Sequence, residues 1–410
     1  MSDVLVSYDF PPMIGGAHSW LYELYRRWPT EVQVLTAQYS QDEHVKREQQ
    51  KFDSLPQGAL RVWRKANATH QIDLRSYRYL MSLWHQASEI GRLTGGGGAA
   101  DNEIEVIHAL RAFPEGVAAW LCWRCNSRRR RIVTYVHGEE ILVSQTSRQL
   151  AMLSKRVYQD SHFVIANSEN TRKILASVYP GVESVSIHPG VDAKRFFNLR
   201  DLREDYRNAK GWPQGTVIIL TLARMEPRKN HAMVIRAVAK LRAEGVSVAL
   251  ACGGDGPERH ALETLAEELG VSRWVYFEGS VSEEEKPNLF ASADIFAMPS
   301  VSVGAMIEGF GIVFLEAAAA GLPTVCGNTG GQLEAVLNGR SGLAVDGESL
   351  EAVASAINRL ARDVGLRCEF GEAGRRWAAE NSWEILGKKV QTEIRKMMSS
   401  GSSDLRSKHR

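Results

Sequence analysis

Two glutamates with seven residues between them carry the most specific chemistry that the sequence offers. The chain reads Glu308-Gly309-Phe310-Gly311-Ile312-Val313 and continues through an alanine-rich run that contains Glu316. Glycines that open a helix leave backbone amides able to bind an anion, and an ionised carboxylate can accept two hydrogen bonds from a vicinal diol. The pattern predicts a site for a phosphorylated, hydroxyl-rich ligand. The alternative is a glutamate at a helix dipole and an ordinary helical glutamate.

Two cations follow the strand predicted at 216–222 and suit a diphosphate. Arg224 and Lys229 lie in the loop before a predicted helix, with Asn230 at the position of its N-cap. In an open parallel sheet, ligands bind beyond the carboxyl ends of the strands, and a helix start adds partial positive charge there. This position favours phosphate binding over the alternative of a solvated basic face.

Shorter signals stand at the ends of other predicted strands. Gly15 and Gly16 follow the first strand and open a helix, so their backbone amides would approach an anionic group closely. His137 follows the fourth strand, where it either points into a ligand site or bonds within its own domain. Gly254 and Val281 lie in turns after two later strands, where a base or a ribose would fit; each is also compatible with an ordinary turn.

The elements that position these residues alternate between short apolar runs and longer amphipathic stretches. That alternation is typical of strand–helix–strand units, so the fold class is α/β with two doubly wound, Rossmann-like domains. A polar segment marks the domain boundary, with the first domain over 1–205 and the second over 206–382. A final helix over 383–400 is expected to pack back on the first domain. Residues 401–410 are expected to be a flexible tail. Strands are predicted at 4–7, 32–36, 106–110, 132–136, 163–166, 185–188, 216–222, 246–251, 274–278, 295–298, 323–326 and 342–345. The stretch 41–101 is irregular and is predicted to end in a mobile loop at 95–98.

Composition bounds the partners and the compartment. The chain of 410 residues is 44% hydrophobic, and its formal net charge of +2 does not favour binding to nucleic acid. Its five cysteines are odd in number and lie mostly in apolar text, which indicates a reducing compartment. The N-terminus lacks a signal-peptide pattern, and no apolar run is long enough for a membrane span. We expect a cytoplasmic protein, either soluble or bound peripherally to the inner face of the membrane.

Together these residues resemble the family-four retaining glycosyltransferases of the GT-B fold. The Glu308 to Glu316 pair fits the E-x7-E motif of that family, and the Arg224/Lys229 pair, the GGDGPE and EGSVS turns and Thr329-Gly330-Gly331 agree with it. The wording around Glu308 is most similar to mannosyltransferases of the phosphatidylinositol mannoside type. The resemblance implies two Rossmann-like domains facing a central cleft. It also implies transfer of a hexose from a UDP- or GDP-sugar to an alcohol, with retention and without a bound metal or other cofactor.

The resemblance also implies roles for individual residues. Glu316 would hold the ribose, and Glu308 and His137 would contact the hexose. The diphosphate would meet Arg224, Lys229 and the helix amides of Gly311 to Val313. The donor-binding set is Gly15, Gly16, Arg224, Lys229, Gly254, Val281, Glu308, Phe310, Gly311, Ile312, Val313 and Glu316, and the catalytic set is His137, Glu308, Arg224 and Lys229. Retention is expected by front-face displacement, with double displacement through Glu308 as the alternative.

Other functions and the acceptor stay open at this point. A nucleotide-sugar epimerase or a phosphorylase shares this fold, a non-catalytic binding protein would also keep it, and an NAD-dependent oxidoreductase is disfavoured because no G-x-G-x-x-G opens a helix after the first strands. The acceptor and the oligomeric state have no readable motif. The basic run 128–131 and the helix at 147–160 favour either an anionic membrane surface with a lipid-linked acceptor, or a solvated basic face and a small acceptor.

Overall fold

A computed structural model describes residues 2–12, 15–66, 74, 76–95, 104–125, 130–197 and 203–404. The chain divides into two compact units: Met1–His188 together with Trp383–Arg410, and Pro189–Ser382. Each unit contains one parallel sheet with helices around it, the architecture of two Rossmann-like domains predicted from the alternation of elements.

The first unit has a seven-stranded parallel sheet in the order β3-β2-β1-β4-β5-β6-β7. Its strands are β1 Ser2–Val6, β2 Val32–Ala37, β3 Leu60–Ala66, β4 Ile104–Ala109, β5 Arg131–Val136, β6 Phe163–Ala166 and β7 Val185–Ser186. Its helices are α1 Gly16–Tyr25, α2 Glu43–Ser54, α3 Tyr77–Gly95, α4 Val117–Cys125, α5 Glu139–Ser144, α6 Arg148–Asp160 and α7 Glu169–Val178. The strand order reverses between β1 and β4, which is where ligands bind in open sheets of this kind.

The second unit has a six-stranded parallel sheet in the order β10-β9-β8-β11-β12-β13. Its elements are α8 Arg203–Ala209, β8 Val217–Leu222, α9 His231–Ala243, β9 Val248–Gly253, α10 Arg259–Glu268, β10 Val275–Gly279, α11 Lys286–Ser292, β11 Ile295–Met298, α12 Ile312–Ala320, β12 Thr324–Gly327, α13 Gln332–Ala335, β13 Gly342–Val345, α14 Leu350–Arg362 and α15 Val364–Glu380. The last helix, α16 Trp383–Asp404, groups with the first unit. Here the order reverses between β8 and β11.

Side chains on the two faces of the central strand β8 pack in two separate hydrophobic cores. Ile218 and Leu220 pack in one cluster with Phe314 of α12, whereas Ile219 packs in the other with Val234 of α9. A strand whose two faces are both buried reads as a continuous apolar run, as β8 does. The sheet is therefore covered on both sides, and polar groups lie in the loops beyond the strand ends.

The start of the second unit differs from the predicted boundary at residue 205. Residues 189–197 and 203–205 belong to the second unit, because the backbone nitrogen of Val191 donates to the carbonyl of Asn381 and Phe196 is buried in the core beside α12. In α8, Arg203 and Arg207 both form ion pairs with Asp294. Because charged contacts hold α8 in place, its sequence shows no apolar periodicity. The domain boundary predicted from the sequence therefore lies later in the chain than the boundary in the structure.

The stretch predicted to be irregular contains three regular elements. It forms α2, β3 and α3. The prediction was wrong because α2 buries only Gln49 and because β3 alternates buried and exposed residues at the edge of the sheet, so neither produces a strong apolar run. Helix α3 ends at Gly95, and positions 96–98 of the predicted mobile loop lie outside the described residues. Helix α16 continues to Asp404, into the predicted tail, and 405–410 are outside the described residues.

Candidate active site

Glu308 lies in the loop between β11 and α12, where it is 8% exposed. Its Oε2 atom accepts hydrogen bonds from Lys229 Nζ at 2.5 Å and from Arg228 Nη1 at 3.1 Å. Burial raises the pKa of this carboxyl, but the charges of Lys229 and Arg228 outweigh that effect and hold the pKa below its ordinary value. Glu308 is therefore an ionised hydrogen-bond acceptor at neutral pH.

The backbone of Glu308 is held by the glycine turn after β12. The amide of Gly331 donates to the carbonyl of Glu308 at 2.8 Å, and Gly330 has a left-handed φ of 68°. A Cβ on Gly330 would lie 2.6 Å from that carbonyl oxygen, so a side chain has no room there. The Thr329-Gly330-Gly331 turn thus holds the backbone of Glu308, which lies more than twenty residues earlier in the chain.

The loop after β8 supplies the cations, and the three basic residues in it lie in different environments. Arg228 and Lys229 lie on a short turn and point their charges at Glu308. Arg224 is 71% exposed and only approaches Glu226, at 3.3 Å. Arg228 was not among the residues selected from the sequence, although its place next to Lys229 was the available signal.

Asn230 occupies the N-cap position of α9 but does not cap the helix with its side chain. Its backbone is left-handed, with φ of 59°, and its Nδ2 atom donates to the carbonyls of Pro299 at 3.0 Å and Gly347 at 2.8 Å. The side chain therefore ties the cation loop to the loops after β11 and β13. The predicted N-cap position was right, and the predicted capping function was wrong because two buried carbonyls compete for the amide.

The start of α12 faces the same loop. Gly311 is its N-cap with φ of 87°, and a Cβ there would lie 2.6 Å from the ring of Phe314. Phe310 is buried, while Ile312 and Val313 in the first turn are partly accessible. The first amides of a helix have no partner within it and carry its partial positive charge. Amides of this kind can bind an anion.

Glu316 lies further along α12 and has its own cation. Its Oε1 atom accepts from Lys286 Nζ of α11 at 3.2 Å, and Lys286 also pairs with Glu283 at 2.5 Å. Burial lowers the pKa of Lys286, but the two carboxylates outweigh it and raise the pKa above its usual value. Lys286 was missed from the sequence because it lies on the neighbouring helix, with no motif to mark it.

The turns after β9 and β10 close around the loop after β8. Gly254 has φ of 112°, and a Cβ there would lie 2.1 Å from the carbonyl oxygen of Ala223. Its amide donates to the carbonyl of Gly279 at 2.7 Å. Val281 is half-buried, packed next to Gly253. The positive φ and the close approach of the Ala223 carbonyl thus explain why residue 254 is a glycine. Val281 forms part of the wall beside it.

In the first unit, α1 brings the glycine pair and His137 into one neighbourhood. Gly15 is the N-cap of α1, and Gly16 begins it with open space at the position of a Cβ. The ring of Trp20, in the same helix, lies perpendicular to that of His137 at 5.5 Å. His137 Nε2 donates to the carbonyl of Leu110 at 2.8 Å, which places the proton on that nitrogen. Burial, aided by the charge of Arg111, lowers the pKa of His137 to about 4.

A charged cluster at the ends of β1 and β4 was missed from the sequence. Arg111 forms ion pairs with Asp9 and, at 3.4 Å, with Glu115, which is completely buried. Burial raises the pKa of Glu115 in spite of Arg111. The only signal was a glutamate inside an otherwise apolar segment after a strand. The cluster lies at the point where the strand order of the first sheet reverses.

The basic residues predicted on the helix at 147–160 are exposed in the structure, at Arg148, Lys155 and Arg156. Arg131 Nη1 donates to the carbonyl of Met397 in α16, while positions 128 and 129 lie outside the described residues. In α6, Leu150 and Val157 are buried in the core of the first unit rather than presented outward. Of the apolar side chains of that helix, Met152 is 62% exposed and is presented outward. No helix in the described part of the chain is long and apolar enough to cross a bilayer.

Two family descriptions match complementary parts of the chain. "Glycosyl transferases group 1" matches residues 203–377, and "Glycosyltransferase Family 4" matches residues 14–195. A GDP-mannose-dependent alpha-(1-6)-phosphatidylinositol monomannoside mannosyltransferase of Mycolicibacterium smegmatis is 33% identical over 94% of this chain and 96% of its own length. A D-inositol 3-phosphate glycosyltransferase of Corynebacterium jeikeium is 33% identical over 62% of this chain and 64% of its own.

Solved structures share the fold at lower identity. Anabaena HepE in complex with UDP and glucose superposes with a TM-score of 0.76 at 19% identity, covering 97% of this chain and all (100%) of its own. Sucrose-phosphate synthase of Thermosynechococcus elongatus gives a TM-score of 0.77 at 20% identity, covering 98% of this chain and 100% of its own. The predicted GT-B fold class is thereby confirmed, and with a full-length relative at 33% identity the chain belongs to the family-4 glycosyltransferases, which use nucleotide-sugar donors.

Proposed function

We propose that this protein is a retaining, metal-independent mannosyltransferase that uses GDP-mannose. The donor proposal draws on the mycobacterial relatives, which are named as GDP-mannose-dependent and match along nearly the whole chain. The observation that carries the proposal is the cluster of Lys229, Arg228 and Glu308 beside the start of α12, at the reversal point of the second sheet. Cations and helix amides suit a diphosphate, and an ionised carboxylate suits hexose hydroxyls.

The chemistry follows from stabilising the leaving group. In the proposed reaction, the acceptor oxygen forms a bond to the anomeric carbon on the face from which the diphosphate departs. The bond between that carbon and the phosphate oxygen breaks, and the acceptor proton passes to a diphosphate oxygen. Lys229, Arg224 and the amides of Gly311 to Val313 are proposed to stabilise the charge that builds on the diphosphate.

The surroundings of Glu308 argue for front-face displacement over double displacement. Its Oε2 atom is held between Lys229 and Arg228, and both cations lower its pKa. A carboxylate whose lone pairs are engaged by two cations is a weaker nucleophile than an unpaired one. We therefore assign Glu308 to binding the hexose and to holding Lys229 in place. Glu316 is assigned to the ribose, and His137 and Gly15-Gly16 to the donor from the first unit.

The acceptor is proposed to be an inositol-phosphate-containing lipid. The relatives named above are called phosphatidylinositol monomannoside mannosyltransferase and D-inositol 3-phosphate glycosyltransferase, so a phosphorylated inositol is the chemical group that both names share. Both kinds of relative are glycosyltransferases, and no observation favours the epimerase or phosphorylase alternatives.

A transfer assay with a panel of sugar nucleotides tests the proposal. GDP-mannose is expected to be turned over faster than UDP-glucose or UDP-GlcNAc, the product is expected to keep the α configuration in its proton NMR spectrum, and excess EDTA is expected to leave the rate unchanged. An inverted product would refute retention. Loss of the rate with EDTA and its recovery with a divalent ion would refute metal independence, because the leaving group would then depend on that ion.

A further inference from the structure

A buried glutamine begins α13, directly after the turn that holds the backbone of Glu308. Gln332 is completely buried, and both polar atoms of its side chain form hydrogen bonds. Its Nε2 atom donates to the carbonyls of Ser300 at 2.9 Å and Thr329 at 2.7 Å, and its Oε1 atom accepts from the amide of Gly327 at 2.9 Å. Glutamine is mostly exposed in proteins, so a buried and fully bonded one indicates a specific structural task.

The three backbone groups that Gln332 binds belong to separate segments of the second unit. Ser300 lies in the loop that leads from β11 to Glu308. Gly327 ends β12, and Thr329 lies in the turn that follows this strand. A Cβ on Gly327 would lie 2.2 Å from the carbonyl oxygen of Ser300, so the strand end and the loop approach too closely for a side chain. The glutamine therefore joins segments that pack directly against each other.

Residues 299–301 also bind the loop that supplies the cations. The carbonyl of the first of these residues accepts from the side chain of Asn230 at 3.0 Å, and the amide of the third donates to the carbonyl of Arg228 at 2.9 Å. Lys229 lies between those two partners in the chain. The segment that carries Lys229 is thus attached at two points to the residues that Gln332 also binds.

The turn after β12 completes the connection from Gln332 to Glu308. The amide of Gly331, the residue before Gln332, donates to the carbonyl of Glu308 at 2.8 Å. Gln332 therefore holds both the loop that leads to Glu308 and the turn that binds its backbone. The side chain of Glu308 meets Lys229 Nζ at 2.5 Å, and both partners of this ion pair are attached to the same loop. A shift of that loop would change how the carboxylate and the cation face each other.

We propose that Gln332 is a positioning residue for Glu308, because its buried amide sets the place of that carboxylate relative to Lys229. The inference rests on the proposed function only for the contact between Glu308 and the hexose. Gln332 is completely buried, so it acts on the reaction through the backbone that it holds. A misplacement of about 1 Å costs up to about a hundredfold in rate, so loss of this amide is expected to lower kcat by about tenfold to a hundredfold.

The pH profile of Gln332→Glu tests the proposal. An ionised carboxylate cannot donate to the carbonyls of Ser300 and Thr329, whereas a protonated carboxyl donates to one of them. Burial favours the protonated form and raises the pKa of the introduced group above its ordinary value of about 4.3. At about pH 8, kcat with GDP-mannose should be at least about tenfold below that of the wild type. The ratio of variant to wild-type kcat should rise about threefold or more as the pH falls to about 6, because one hydrogen bond is restored.

A double mutant shows whether Gln332 acts through Glu308. Gln332→Met keeps the approximate size of the side chain but removes the amide, and it is expected to lower kcat about tenfold or more. In the Glu308→Gln background the same change should lower kcat by less than about threefold, because the carboxylate that Gln332 positions is already absent. A residue that only stabilises the fold would not show this loss of additivity.

The matched control is Gln214→Glu, the same substitution at an exposed glutamine whose amide donates to Asn208 at 2.9 Å. Its kcat and pH profile are expected to equal those of the wild type. Equal losses of kcat from Gln332→Met in both backgrounds would overturn the proposal, as would a Gln332→Glu profile parallel to that of the wild type.

Thermal unfolding checks that each variant is folded. If neither Gln332 variant folds, the residue serves stability alone and the proposal is also overturned. The donor proposal is tested separately, on the wild type. If the wild type prefers another sugar nucleotide, the donor proposal fails, and the Gln332 variants are then assayed with that donor.

Discussion

Replacing Glu308 with glutamine is expected to tighten the binding of free GDP while it lowers turnover. Glu308 neutralises Lys229 and Arg228, two cations of the loop after β8. Glutamine keeps the size of the side chain and a hydrogen-bond acceptor but removes the charge. A diphosphate then meets cations that no longer share their charge with a carboxylate. Turnover falls because the hexose loses an ionised acceptor for its hydroxyls.

The size of each effect follows from the contacts. A hydrogen bond to a charged group contributes about 1.5–3 kcal/mol, and about 1.4 kcal/mol corresponds to a factor of ten in affinity. We expect GDP to bind about tenfold more tightly to Glu308→Gln. Breaking a buried ion pair by removing one partner costs about 3–5 kcal/mol, and the retained amide reduces this, so the free energy of unfolding should fall by about 3 kcal/mol. Saturating GDP should restore part of that loss, because the diphosphate supplies the missing negative charge.

Glu316→Gln is the counterpart with the opposite expected sign. It removes a charged acceptor from the proposed ribose site and leaves Lys286 with Glu283 alone. GDP and GDP-mannose should both bind about tenfold to a hundredfold more weakly, by about 1.5–3 kcal/mol. Glu351→Gln is the matched control, since Glu351 pairs with Lys240 on an exposed face and is 77% exposed. It should change neither affinity nor stability.

Isothermal titration of GDP into the three variants, with thermal unfolding in its presence and absence, measures these effects. Weaker GDP binding in both Glu308→Gln and Glu316→Gln, by similar factors, would refute the division of roles between hexose and ribose. Unchanged GDP binding in Glu308→Gln would show that Lys229 does not contact the diphosphate.

Two further predictions concern neighbouring residues. Lys229→Ala should lower kcat by a larger factor than it raises KM, because charge builds on the leaving group mainly in the transition state; a rise in KM alone, in steady-state kinetics with GDP-mannose, would contradict this. His231→Leu should reduce the acid sensitivity of folding. The ring of His231 is completely buried, and burial followed by the charge of Lys229 lowers its pKa to about 4. Its pKa in the unfolded chain is near 6.5, so the unfolded state binds the proton first as pH falls. The wild type should therefore lose about 2 kcal/mol of stability through this group between about pH 7 and pH 5, and urea unfolding of His231→Leu should lack that part of the slope.

The sequence predicted elements best where both faces of a strand are buried. Strands β6 and β11, whose residues are mostly buried, were predicted with the bounds that the structure shows, because short apolar runs bounded by turn residues leave little choice. The partly exposed edge strand β13 was also predicted with its observed bounds. The edge strand β3 and the helices α2 and α3 were not predicted. Their apolar side chains are sparse or exposed, so neither the strand period nor the helix period stands out.

Within the candidate site, the sequence located loops better than partners. It selected Glu308, Lys229 and Glu316 from their positions after strands, and the structure places the first two in one ion pair. It could not indicate Lys286, which meets Glu316 from another helix. The contact between Lys286 and Glu316, which are thirty residues apart, depends on how α11 and α12 pack against each other, and local residue spacing does not predict that packing.

Both glutamates of the motif pair with cations, and at Glu308 this pairing explains how a buried carboxylate can stay ionised. An isolated buried carboxylate would take up a proton, which would make it a donor and spoil it for binding hydroxyls. Lys229 and Arg228 prevent this at Glu308, and Lys286 forms an ion pair with Glu316. A diphosphate competing for Lys229 would weaken one of these pairs as it binds, while the carboxylate gains hexose hydroxyls in exchange. Donor binding would then be an exchange of partners in which few charges lose their hydration at once, and the same cations remain in place when charge builds on the leaving group.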